Sequence, residues 1–145
     1  MAPIRLEIVT PERLLLEEDA DIVVARGADG DLGILHGHEP LITQLATGEL
    51  MYRTGGEEHH LAISGGFLEV RPDKVVVLAD VAERSEEIDR DRAERARQQA
   101  EAALAENRGT QLEAEAAANL QKALLRLRVA QQRRRHERPG PRTEA

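Results

Sequence analysis

The hydrophobic pattern of this chain changes period once, near residue 84, and that change limits what it can fold into. Before it, apolar residues alternate or run in short blocks, as strands do. After it they recur three and four residues apart, as on one face of a helix. Ile4, Leu6 and Ile8 alternate with Arg5 and Glu7 until Thr10-Pro11 ends the run. An Ile-Val-Val-Ala block lies within Asp21 to Arg26. Leu50 to Arg53 leads into the turn signal Thr54-Gly55-Gly56, and His60 to Ser64 returns. Gly65-Gly66 reads as a break before Phe67 to Arg71, and Pro72-Asp73 as a turn before Lys74 to Asp80. Short strands separated by turns at this frequency indicate an all-β sandwich or barrel.

From Ser85 the pattern is helical. Glu86 and Glu87 place negative charge in what reads as a first helical turn, where the dipole favours it. Ala93, Ala96, Ala100, Ala103 and Leu104 form an apolar stripe, and Asn107-Arg108-Gly109 ends the helix. Thr110-Gln111-Leu112-Glu113 is a capping-box sequence. The stripe of the second helix is Leu112, Ala116, Leu120, Ala123 or Leu124, Leu127 and Ala130, fading near Arg138-Pro139. So short a link makes the two helices an antiparallel hairpin. The chain is therefore α+β: a β-sandwich over 1–84, a helical hairpin over 85–137 and a disordered tail over 138–145. An alanine face lets helices approach closely, yet each Ala buries far less than the ~1.5–3 kcal/mol worth of a Leu. High intrinsic helicity with weak docking suits helices that persist while they undock.

Composition excludes several classes of function. Aromatics amount to Tyr52 and Phe67, so the core is aliphatic, and the chain holds no cysteine. No stretch reaches the ~20 apolar residues that span a bilayer. Met-Ala-Pro-Ile-Arg lacks the apolar region of a secretory signal, so a bacterial cytoplasmic setting is expected. Asp29 and Asp31 beside His36 and His38 lack the third oxygen ligand, the glycine and the closing glutamate of a calcium loop, and read as turn residues. His59-His60 reads as a strand-edge pair. Glu17-Glu18 and Glu57-Glu58 read as solvated carboxylates in polar turns. No phosphate-binding loop, nucleophile elbow or thiol is present, so no enzyme, metal or required cofactor is expected.

Charge is unevenly spread. Residues 1–85 carry 16 acidic and 7 basic side chains, residues 86–115 carry 9 and 5, and residues 116–145 carry 2 and 8. The last segment is thus basic on an acidic chain and calls for an acidic partner. Arg133-Arg134-Arg135-His136-Glu137-Arg138 reads either as a solvated tail or as a protein contact. No aromatic follows Phe67 to stack on a base, which speaks against nucleic acid.

The stretch from Gly27 to Gly48 is Gly-Ala-Asp-Gly-Asp-Leu-Gly-Ile-Leu-His-Gly-His-Glu-Pro-Leu-Ile-Thr-Gln-Leu-Ala-Thr-Gly. Glycines at 27, 30, 33 and 37 sit where a backbone turns tightly or takes positive φ, so it reads as a multiply bent surface loop. It resembles the epsilon subunit of the F-type ATP synthase, in which Asp-Gly…Gly-Ile-Leu…His…Pro-Leu…Thr…Leu…Gly occupies the same place. Ser64-Gly-Gly-Phe-Leu-Glu-Val70 and Val75-Val-Val-Leu-Ala-Asp-Val-Ala-Glu83 extend the resemblance, which covers most of residues 3–106; the second helix is similar in composition rather than motif.

The resemblance implies a flattened sandwich of two small sheets in a non-catalytic rotor subunit of a proton-translocating synthase. Its β domain would bind the gamma subunit and rest on the ring of c subunits, with Asp29, Asp31 and His38 at the ring. The hairpin would act as a brake on ATP hydrolysis, with Arg126, Arg128, Arg133, Arg134 and Arg135 reaching the alpha and beta subunits. The setting would be peripheral, on the cytoplasmic face of the bacterial inner membrane, without insertion.

Ile88-Asp89-Arg90-Asp91-Arg92-Ala93 has two readings. As residues it is a helix start with an Asp89–Arg92 pair worth ~0.2–0.5 kcal/mol. It is also similar to the Ile/Leu-Asp-x-x-Arg-Ala motif by which several bacterial epsilon subunits bind ATP. That resemblance implies a regulatory nucleotide site of Ile88, Asp89, Arg92 and Ala93 with Lys122 and Arg126, where Lys122 departs from the expected arginine. The rival functions are a stand-alone ATP sensor and a scaffold docking its basic helix on an acidic partner.

Overall fold

The structure of the protein, a computed structural model, describes residues 2–137, with side chains through residue 132. It divides into two units between Arg84 and Ser85. The first holds eight strands: β1 (Ile4–Val9), β2 (Leu14–Ala20), β3 (Ile22–Gly27), β4 (Gly30–Ile34), β5 (Leu41–Gln44), β6 (Gly48–Thr54), β7 (Glu57–Val70) and β8 (Lys74–Arg84). They pair in the order β2-β1-β8-β7-β6-β3-β4, with β5 also on β7. Every pairing is antiparallel except that of β1 with β8. The sheet folds over itself, because β2 touches β6 although three strands separate them in the pairing order. Alternation along each strand supplies the filling: Ile4, Leu6, Ile8, Leu68, Val70, Val75 and Val77 from one part of the sheet, with Val23, Ile34, Leu50 and Leu61 from the other. The core is aliphatic as composition requires, and Tyr52 is its aromatic member. Of the sandwich or barrel indicated by the strand pattern it is the sandwich, made by one continuous eight-stranded sheet rather than by the two small sheets that the resemblance implies.

Three local expectations fail. First, Gly65-Gly66 does not end a strand. β7 runs through both glycines, pairing with β6 up to Ile63 and with β5 from Phe67, while β8 follows its other edge. The pair takes φ of +75° and +122° and bends the strand instead. A Cβ on Gly66 would lie 2.0 Å from the Leu78 carbonyl oxygen. Gly66→Ala is therefore expected to destabilise the unit by about 3 kcal/mol or more, lowering Tm by over ~12 °C. Gly33→Ala meets no atom within 4 Å and should leave the melting curve nearly unchanged.

Second, half of Gly27 to Gly48 is strand. β4 forms a hairpin with β3, closed by Gly27 opposite Gly30, and β5 joins β7, which leaves residues 35–40 as the longest stretch outside the strands. Of the four glycines, Gly30 (φ +131°) and Gly37 (φ +90°) have positive φ; Gly27 and Gly33 do not. Glycine-rich strands lack a readable period, so only their pairing reveals them. Third, Leu14–Ala20 is a strand that its Leu-Leu-Leu-Glu-Glu-Asp block does not announce. Glu17 and Glu18 lie in β2, and Glu57 and Glu58 open β7, so neither pair sits in a turn. A register shift between Ile8 and Val9 of the partner accounts for the broken alternation.

The second unit is a 3-10 turn at Ser85–Glu87, then α1 (Arg90–Glu106) and α2 (Glu113–Glu137). The first helix begins later than the acidic pair implies. Asp89 is its cap, accepting the Arg92 N–H at 3.1 Å, and Glu86 and Glu87 belong to the 3-10 turn. Buried alanines recur every seven residues, Ala93 and Ala100 on α1 and Ala116, Ala123 and Ala130 on α2. Leu112 and Leu124, assigned to the stripe by spacing, are about half exposed, at 55% and 48%, while Leu125 and Val129 are buried. These last two lie on the far side of α2 from its alanines, a second buried face that one stripe cannot predict. The expected disordered tail, 138–145, lies outside the described residues.

Candidate functional site

The register of the sandwich builds a surface feature that no single segment shows. Gln44, Phe67, Leu78, Val9 and Leu14 are paired in succession across β5, β7, β8, β1 and β2. Their neighbours Leu68, Val77 and Ile8 point inward, so this row points outward. Phe67, Leu78 and Leu14 are 51%, 50% and 52% exposed, and Ile42, two residues from Gln44 on the same face, is 72% exposed. The adjacent row runs Ile42, Glu69, Val76, Glu7 and Glu17. Its carboxylates are neutralised locally: Arg71 pairs with Glu69 at 2.9 Å, Lys74 with Glu7 at 3.0 Å and Arg5 with Glu17 at 2.8 Å. Hydrogen bonds to Glu17 and then Asp19 raise the Arg5 pKa further. An exposed apolar row edged by paired charges is the anatomy of a protein interface: apolar centre, polar rim.

The residues assigned to a ring contact lie toward the two ends of β4. Asp29 lies in the β3–β4 turn and Asp31 next to it on β4, where it faces Arg26 at 3.8 Å. His38 lies beyond the other end of β4, its Nδ1 2.7 Å from the Glu39 carbonyl, in the segment held by the Gly37 N–H to Pro72 carbonyl bond. Asp31 lies ~10 Å, at strand rise, from the end of β4 at Ile34, and His38 follows four residues after that end.

On the hairpin, Ile88 and Ala93 are packed, at 5% and 0% exposed. Asp89 and Arg92 are the solvent-facing members of that motif. Their contact is carboxylate to backbone rather than the expected side-chain pair. The antiparallel link brings the first turn of α1 beside the C-terminal half of α2, which carries Arg126, half-buried, with exposed Lys122 one turn earlier. Further along α1, Arg97 bonds Glu94 and, at 2.7 Å, Glu101. Its guanidinium holds the Glu94 carboxyl below the usual range. Arg128 is exposed; Arg133, Arg134 and Arg135 continue α2, and their side chains lie outside the described residues. His59 stacks on Tyr52 with centroids 4.8 Å apart, and His60 pairs with Glu49 and Glu58. No helix among the described residues is long and apolar enough to cross a membrane.

Residues 3–85 match the family described as ATP synthase, Delta/Epsilon chain, beta-sandwich domain, and residues 86–131 the companion long alpha-helix domain. An ATP synthase epsilon chain of Dehalococcoides mccartyi is 53% identical over 137 residues, covering 94% of this chain and 98% of that one. The chain belongs to the ATP synthase epsilon family. Another epsilon chain, from Herpetosiphon aurantiacus, is 50% identical over 135 residues, covering 93% of this chain and 99% of its own. Among solved structures, a chain of the Euglena gracilis mitochondrial ATP synthase (OSCP/F1/c-ring, rotational state 1) superposes with a TM-score of 0.78 at 27% identity. The superposition covers 90% of this chain and 82% of that one. Epsilon-family proteins are non-catalytic stalk subunits of the synthase. Membership and fold agree with the resemblance read in Gly27 to Gly48. The row through Phe67, Leu78 and Leu14 was not foreseen. Its signal was present in Val75-Val76-Val77-Leu78, apolar on both faces of a strand that has one face open.

Proposed function

We propose that this chain is the epsilon subunit of the central stalk of a proton-translocating rotary ATP synthase, binding the gamma subunit through its outer apolar row. That row carries the reading. A free domain has no use for a half-exposed Phe67, Leu78 and Leu14 in one line, whereas a permanently assembled stalk covers them. A stand-alone sensor or a scaffold working through its basic helix would need no such row. Asp29 in the β3–β4 turn, Asp31 at the start of β4 and His38 beyond its far end serve as the contact with the c-subunit ring. The setting is the cytoplasmic face of the inner membrane, where the complex holds the subunit peripherally. Co-expression with gamma tests the assignment: a one-to-one complex that survives gel filtration is expected, whereas a chain that elutes alone would remove it.

The hairpin serves as a brake on hydrolysis. Its support is the excess of basic over acidic side chains in residues 116–145, 8 against 2, on helices docked through small alanines. ATP then favours the docked form, with Arg92, Lys122 and Arg126 toward phosphate and Asp89 toward the base. Because Asp89 caps α1, Asp89→Ala would cost about 1 kcal/mol of helix stability whether or not nucleotide binds. Arg92→Ala is the cleaner variant. Millimolar ATP is expected to raise the Tm of the wild-type chain by several degrees and that of Arg92→Ala not at all. An unshifted wild type leaves Ile88 to Ala93 as a capped helix start only.

A further inference from the structure

The link between the helices is closed by its own hydrogen bonds. The Asn107 side-chain amide donates to the Ala103 carbonyl at 2.7 Å. Thr110 Oγ1 donates to the Asn107 carbonyl at 2.7 Å and accepts the Leu112 N–H at 3.2 Å. The Gly109 N–H donates to Glu113 Oε2 at 3.0 Å. In a capping box the glutamate returns to the N–H of the cap residue itself. Here α2 starts at Glu113, so Thr110 is not its cap and the expected box does not form; the Glu113 carboxylate instead reaches back four residues to Gly109 and ties the first turn of α2 to the exit from α1.

Gly109 permits this because its φ is +78°. No atom lies within 4 Å of the place a Cβ would occupy. The requirement for glycine there is thus one of backbone conformation alone, with no steric component. Around it, Arg108, Gln111 and Leu112 are good helix formers and no proline intervenes. A right-handed conformation at 109 would remove the turn that reverses the chain and allow α1 to run on toward α2.

We propose that residues 107–113 are a latch that fixes the hairpin in its closed form, with Gly109 as its pivot and the Glu113 carboxylate as its clasp. The latch sets how readily the two helices straighten. It deepens the brake reading by naming what holds the brake off. It is measured on the isolated full-length chain, so its failure and that of the brake, measured on the assembled enzyme, are distinguishable.

The chain has no cysteine, so Gln99→Cys and Gln121→Cys, both exposed, would carry spin labels cleanly. Across neighbouring helices, ~10 Å apart at their axes, the labels lie within about 20 Å. Along one continuous helix they would be ~33 Å apart at 1.5 Å per residue. Pulsed electron spin resonance is expected to give the short distance for the otherwise wild-type chain. Gly109→Ala should raise the long-distance population about tenfold, since an L residue is disfavoured at positive φ by roughly that factor. Gly109→Asn, which tolerates this region, should stay closed. Glu113→Ala should open the hairpin partly and Glu113→Gln, which keeps an acceptor oxygen, should not. Unchanged distances in Gly109→Ala, or a Gly109→Asn chain as open as Gly109→Ala, would overturn the latch.

Discussion

Replacing Phe67 and Leu78 together by glutamate is expected to abolish capture of the gamma subunit while leaving the β unit folded. Both side chains are half exposed in the chain alone, so carboxylates there stay solvated and the core beneath, Leu68 and Val77, is undisturbed. At an interface the same positions become central. Loss of a buried anchor costs about 2 kcal/mol or more, and a buried unpaired carboxylate adds to that. The pair should therefore weaken binding at least ~100-fold, equivalent to about 2.7 kcal/mol. Titration calorimetry reads the loss and circular dichroism the retained fold. Leu124→Glu, on an exposed site of α2, should leave gamma affinity unchanged.

The second large effect belongs to the helices. Removing residues 110–145 should raise ATP hydrolysis by the assembled synthase and leave assembly intact, because the apolar row lies wholly in the first unit. Exposed ion pairs within the hairpin are each worth only ~0–1 kcal/mol. Partly desolvated arginines against an acidic head gain more. A net bias of ~1–2 kcal/mol corresponds to a five- to thirtyfold change in the braked fraction. Glutamine at Arg126, Arg128, Arg133, Arg134 and Arg135 should release hydrolysis to a similar extent. Equal hydrolysis with and without α2 would remove the brake and leave a coupling subunit.

What could be read from the sequence followed from which physical signal each element uses. Strands with clean alternation, such as Ile4 to Ile8, and the switch to helical spacing after residue 84 were legible because burial on one face imposes a period. β4 was not: Gly30-Asp31-Leu32-Gly33-Ile34 has little side chain to pattern, and its pairing with β3 is made by the backbone. β2 was hidden by a register shift that puts two consecutive leucines, Leu15 and Leu16, among the buried residues. The acidic pair Glu86-Glu87 suggested a helix start that Asp89 in fact makes, since a side chain able to accept an amide outweighs favourable charge near the dipole. The outer apolar row was legible only once register was known, because its members come from five strands. Likewise, separation of His38 from Asp29 and Asp31 needed β4 to be recognised as a strand.

Hydroxyl-radical footprinting of the intact synthase against the isolated chain tests the central claim without altering a residue. If the row through Phe67, Leu78 and Leu14 is the gamma contact, oxidation of those side chains should fall about tenfold or more on assembly. Leu124, on α2, should remain as reactive as before. Phe67 and Leu78 oxidised equally in the free chain and in the assembled enzyme would contradict it.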